Sequence, residues 1–190
     1  MPKDPHLVKA LLGQDIRALR SARKMTLEDL SERLGRSVGW LSQVERDISS
    51  PSIDDLRHIA KLLNVPISIF FGTSEVKEEE RGLIVRAQAR RAIGDDRSGL
   101  IETLLSPDLT DEFEVVHSTF LAGTAIEEAI IRPTTEVAYL VSGQLDLWIE
   151  DRAFTIGAGD SFRIRGSAFR WANPYSDPAI AIWVISPPVY

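Results

Sequence analysis

Apolar residues in the first third of the chain return mostly at steps of three and four. Val8, Leu11, Leu12, Ile16, Leu19 and Ala22 therefore fall on one face of a first helix. Thr26 then offers a side-chain oxygen to the free amides of the next turn, and Asp29 three residues on completes a capping box. A second helix carrying Leu27, Leu30 and Leu34 starts there and stops at Gly35. Ser37 caps a third helix of about ten residues with Leu41 and Val44 facing inward, and Asp47 with Ser49-Ser50-Pro51 breaks it. Ser52 with Asp55 opens a fourth helix bearing Ile53, Leu56, Ile59, Ala60 and Leu63, and Pro66 begins a last apolar turn, Ile67 to Phe71. The pattern predicts an all-α domain of five helices over residues 7–71.

The stretch Gly72 to Gly82 holds one aliphatic residue and a tight acidic run, so residues 72–82 read as a solvated linker. Beyond it the period changes to two. Leu145, Leu147 and Ile149 alternate with Asp146, Trp148 and Glu150, and Phe162 and Ile164 alternate with Arg163 and Arg165. Gly143, Gly157-Ala158-Gly159-Asp160, Gly166 and Asn173-Pro174 punctuate short apolar segments, and Ala179 to Ile185 forms a final strand before Pro187-Pro188. Residues 83–190 are expected to form an all-β sandwich or barrel.

Composition narrows the chemistry. The chain has no cysteine, which excludes disulfides, thiolate metal sites and a cysteine nucleophile and suits a reducing compartment. Neither a signal peptide nor an apolar run of about 18 residues is legible, so a cytoplasmic location without a membrane span is expected. The net charge of −6 is unevenly spread: residues 1–71 carry 11 Lys/Arg against 9 Asp/Glu, net +2, and residues 72–190 carry 11 against 19, net −8. That asymmetry fits a chain of which only the first part meets a polyanion.

Thr26 to Arg46 places two short helices around a tight turn. Leu30, Leu34 and Gly35, then Leu41-Ser42-Gln43-Val44-Glu45-Arg46, Ser50-Pro51-Ser52 and Ile59 to Val65 together resemble the phage-repressor-like (XRE) helix-turn-helix family over about residues 16–70. The resemblance implies double-stranded operator DNA as partner, read by the third helix in the major groove. Val38, Gly39, Ser42 and Gln43 are then the base-facing positions. Gln43 has the bidentate amide that pairs with adenine, whereas Val38 offers only apolar contact to a thymine methyl. Arg36 and Arg46 flank the helix as phosphate contacts, with Thr26 and Ser37 at helix starts. Trp40 stands between core packing and a contact with the DNA backbone. Val38 and Gly39 occupy positions where relatives often carry polar readers, which shifts weight towards DNA shape.

Glu136 to Gly143, and Gly157 through Phe169 to Asn173, resemble the two motifs of the cupin family, a double-stranded β-helix barrel. Cupins usually hold a divalent metal on two histidines and a glutamate of the first motif and a histidine of the second. Here Glu136 matches the glutamate, but the histidine positions hold Ile130, Arg132 and Phe169. Of the three histidines only His117 lies in the barrel, too few for a zinc or iron site, so neither metal nor other cofactor is expected. Arg132, Glu136 and Phe169 are instead candidates for a small-molecule effector site. Arg132 suits an anion such as a carboxylate or phosphate, or it closes a dead site as an ion pair with Glu136.

These readings converge on a DNA-binding transcriptional regulator, not an enzyme. It is expected to act as a homodimer through its barrel, with a small-molecule effector modulating operator binding. The alternative is a metal-independent cupin enzyme with an appended DNA-binding domain, for which Glu136 with His117 or Tyr139 supplies the acid–base candidates. Strand parity puts Tyr139 opposite Glu136. A third reading is a helical protein-interaction module beside a structural barrel.

Overall fold

The computed structural model describes residues 5–71, 78–80, 82–94 and 99–188, and their side chains from Leu12 onward apart from that of Glu78. The chain divides into two compact units. One comprises residues up to Arg91 with Pro107–Thr110, and the other Ala92–Ser106 with the residues from Asp111. The expected linker falls largely outside the described residues. In its described part, Glu78–Glu80 is a 3-10 turn whose Glu80 is buried and accepts two hydrogen bonds from Arg86 Nε, each 3.2 Å.

The first unit carries four α-helices: α1 (Pro5–Ala22), α2 (Leu27–Leu34), α3 (Val38–Glu45) and α4 (Ile53–Leu63). Both capping boxes are formed, Thr26 with Asp29 and Ser52 with Asp55, and each satisfies amides that a helix start leaves free. Gly35 ends α2 at φ 64°, a left-handed conformation that costs glycine nothing. The core is Ile16, Leu19, Leu30, Leu41, Val44, Leu56, Ile59 and Leu63. Val8 and Leu11 lie outside the described side chains. Ala22 and Ile53 are exposed rather than inward, because each occupies the terminal turn of its helix. The expected fifth helix is a four-residue 3-10 turn, Ile67–Phe70, closed by i to i+3 bonds such as Ile69 N to Pro66 O. A segment this short has too few residues for an α ladder.

Gly13, in the middle of α1, answers a packing demand. A Cβ there would sit 2.3 Å from the carbonyl oxygen of Val44 in α3. Alanine is the better helix former by about 1 kcal/mol, yet we expect Gly13→Ala to destabilise the unit. The α3 backbone has to move, and overpacking costs about 1–3 kcal/mol. A raised melting temperature for Gly13→Ala would show that α1 and α3 do not approach this closely.

The second unit is built on a six-stranded and a four-stranded antiparallel sheet. The first runs β1 (Arg91–Ile93), β2 (Leu100–Leu104), β3 (Glu114–Phe120), β10 (Ala179–Ser186), β5 (Thr135–Ser142) and β8 (Ser161–Arg165). The second runs β4 (Thr124–Ala125), β9 (Phe169–Asn173), β6 (Gln144–Ile149) and β7 (Arg152–Gly157). Alternation sends Val116, Phe120, Ala138, Leu140, Leu145, Leu147, Ile164, Trp171 and Ile185 into the core. Phe120 meets Trp171 edge to face at 4.7 Å. The opposite face of the larger sheet carries Val137, Tyr139 and Val141 of β5, Val184 of β10 and Ile101 of β2, all exposed. Gly143 turns β5 into β6 at φ 80°, and a Cβ there would lie 2.7 Å from Pro178 O. Among the described residues no helix is long and apolar enough to cross a membrane.

Candidate nucleic-acid interface and barrel cavity

Helix α3 is anchored from beneath. Glu45 is buried and receives a bidentate pair from Arg20 of α1, Nε to Oε1 at 2.6 Å and Nη2 to Oε2 at 2.9 Å. Arg20 Nη1 also donates to Met25 O at 2.7 Å, so one guanidinium ties α1, the turn before α2 and α3 together. Ser37 caps α3 by accepting from Trp40 N at 3.1 Å. With Leu41, Val44 and Glu45 facing inward, the outward side presents Val38, Gly39, Gln43 and Arg46, all exposed, with Ser42 half-buried beside them. A Cβ at Gly39 would meet nothing within 4 Å.

The flanking groups divide. Arg46 is exposed, with Nε donating to Ser42 O at 3.1 Å. Arg36 is already engaged: Nε and Nη2 donate to Asp55 Oδ1 at 3.0 and 2.7 Å, and its guanidinium lies 5.1 Å from the Trp40 ring centroid. Burial pushes the Asp55 carboxyl up, but hydrogen bonds from Ser52 and Arg36 outweigh it and hold the group below its ordinary value. Arg36 thus fixes the turn against α4, and the half-buried Trp40 is the platform under it. Thr26 is occupied as the α2 cap.

In the barrel, Arg132, Glu136 and Phe169 line one cavity. Glu102 joins them from β2. It escaped sequence reasoning, although Leu100, Glu102 and Leu104 alternate inward as on any strand. Glu136, 1% exposed, accepts from Thr134 Oγ1 at 2.6 Å and stands 3.9 Å from Arg132 Nη1. Glu102 accepts from Ser118 Oγ at 2.7 Å. Burial drives the Glu102 carboxyl above its ordinary value. The Ser118 bond and Arg132 oppose that rise, and Glu136 adds to it.

Protonation of Glu102 therefore favours the folded state. Its contribution is present below the unfolded value near 4.5 and is lost as pH rises through the higher folded value. We expect Glu102→Gln to flatten the loss of stability in the range just above ordinary glutamate titration, measured as melting temperature against pH. An unchanged slope would mean that Glu102 is solvated.

A model of the helix-turn-helix domain matches residues 11–68, and a model of the cupin domain matches residues 116–185. The chain is a helix-turn-helix protein with a cupin domain. Over 70 residues it is 34% identical to the immunity repressor protein of Bacillus phage phi105, covering 37% of this chain and 49% of that one. The chain thus spans about half the length of that repressor. Over 155 residues it is 28% identical to the HTH-type transcriptional regulator SutR of Escherichia coli K12, covering 80% of each. An HTH_3 family transcriptional regulator from Vibrio cholerae is similar in structure, at 20% identity and TM-score 0.46, over 95% of this chain and 97% of that one.

Within this cupin domain the residues do not fit the family's metal. The cavity presents Ile130, Arg132 and Phe169 at the histidine positions, so Glu136 stands there without an imidazole nitrogen to share a metal with it. Among the described residues no group of three or more His, Asp or Glu side chains is placed to hold a metal ion. The acid–base pairing considered for an enzyme also separates. Tyr139 and His117 both lie opposite Ile182 in the β-ladder, on the face away from Glu136. Arg163 and Arg165 are exposed, and Asp160 accepts from Gly157 N at 2.8 Å in its turn. Trp171 and Trp183 are buried, while Trp148 is half-buried with the Arg170 guanidinium 3.8 Å from its ring centroid.

Proposed function

We propose that the chain is a sequence-specific, DNA-binding regulator of transcription, acting in the cytoplasm as a homodimer, whose cupin cavity takes a small-molecule effector. The observation that carries this reading is the outward side of α3. It is a capped helix locked from beneath by Arg20 and Glu45, with Gln43 and Arg46 exposed at its centre and end. A helix held this way presents side chains to a major groove at little entropic cost. Gln43 reads a base edge, Arg46 meets phosphate, Val38 and Gly39 allow close approach, and Thr26, Ser37, Arg36 and Trp40 shape the surface around them. Residues 7–71 serve as the reading domain, 72–82 as the linker and 83–190 as the sensor.

Two copies are needed to use successive major grooves about 34 Å apart. The exposed apolar face of Val137, Tyr139, Val141 and Val184 supports a second copy as its occupant, since a patch of this kind on a free surface marks an interface. An effector shifts operator affinity only by its preference between two arrangements, commonly about 1–3 kcal/mol.

Selection of bound fragments from genomic DNA by the purified chain tests the reading. Recovered inverted repeats with half-sites about 10 base pairs apart are expected. Fragments with no shared sequence would overturn it.

A further inference from the structure

The cavity's polar groups do not balance. Two carboxylates, Glu102 and Glu136, share it with one guanidinium, Arg132, and that cation stands at 3.9 Å from Glu136, too far for a hydrogen bond. An anionic ligand on Arg132, one of the two readings from sequence, would enter beside both carboxylates. The wall also holds an orphan donor. Trp183 is buried, yet its indole Nε1 has no hydrogen-bond partner, and a buried N–H left unpaired is costly. Phe120, Phe169 and Trp171 also line it, and aromatic rings are side chains on which a cation can rest.

We infer that this cavity selects a small organic ammonium compound bearing an oxygen acceptor, its cation held by Glu102 and Glu136 and its oxygen by Trp183 Nε1. The inference rests on the effector-binding reading of the cavity and names the class of ligand. The cavity measures about 30 Å³, room for roughly two waters, so only a compact ligand enters, and it enters by displacing water and wall side chains. Arg132, with 33% of its side chain exposed, is the charged group nearest solvent and the one that yields. An ammonium group beside Glu102 favours its charged form, against the burial that holds this carboxyl above its ordinary value, so binding is expected to tighten as pH rises through the range where Glu102 titrates. The groups that set this are Glu102, Glu136, Arg132 and the Ser118 and Thr134 hydroxyls.

Titration calorimetry and intrinsic tryptophan fluorescence of the full chain test it with three probes of one size: ethanolamine, acetate and ethylene glycol. Ethanolamine is expected to bind saturably, with acetate and ethylene glycol at least about tenfold weaker. Glu102→Gln and Trp183→Phe should each weaken ethanolamine by about tenfold or more. Arg132→Gln should strengthen it, and this opposite sign separates a charge effect from misfolding. Saturable acetate without ethanolamine, or no binding of any probe, overturns the inference. Operator binding measured without probe keeps the two ideas apart. If operator binding holds while ethanolamine fails, only the ligand class falls. If operator binding is absent, the regulator reading falls whatever ethanolamine does.

Discussion

Arg20→Ala is expected to destabilise the helical unit by about 3–5 kcal/mol, because it leaves the Glu45 carboxylate buried without its counter-charge. The pair is bidentate, with side chains 11% and 4% exposed, so solvent screens it little. The same change removes the bond to Met25 O, releasing the turn that leads into α2. Denaturant unfolding followed by far-ultraviolet circular dichroism measures the loss. A double replacement, Arg20→Met with Glu45→Leu, removes both charges and should recover much of the stability, since a buried ion pair is often matched by apolar packing. If Arg20→Ala costs under about 1 kcal/mol, the pair behaves as a surface one and α3 is not anchored as described.

The second large effect concerns function. Gln43→Ala should cost about 1–3 kcal/mol of operator binding, roughly a 5- to 150-fold loss, and relax the preference at one base pair per half-site. Arg46→Ala should weaken all sequences about equally and reduce the slope of affinity against salt by about one unit, the behaviour of a phosphate contact. Competition binding on the preferred site and single-base variants separates the two. Equal behaviour of both variants on every sequence would mean that α3 touches DNA only through its backbone. Arg36→Ala belongs to another kind. Because its guanidinium is held by Asp55 and lies against Trp40, its loss should lower stability as well as affinity.

Much of this was legible in the sequence because the signals are local. Thr26 with Asp29 and Ser52 with Asp55 lie three residues apart, and each pair forms the capping box it announces. Gly35 and Gly143 mark turns through positive φ, and the alternation around Leu145 and Ile164 marks strands. What stayed hidden is long-range. Arg20 and Glu45 are 25 residues apart and Arg36 and Asp55 are 19 apart, so no periodicity links them, and Arg36 read as a free phosphate contact. Gly13 looks like a weak spot in a helix until the Val44 carbonyl is placed against it. Glu102 was missed because an acidic residue on a short strand carries no mark of the cavity it enters. The family pattern located Arg132, Glu136 and Phe169, but not the second carboxyl group, Glu102, that lines the cavity with them.

Fluorescence anisotropy of a labelled recovered site, set against a scrambled sequence of the same composition at about 50 and 200 mM salt, tests the central claim most directly. The account predicts binding that falls steeply with salt on both sequences and favours the recovered site by about a thousandfold or more. Equal affinity for both sequences, or binding indifferent to salt, would contradict it.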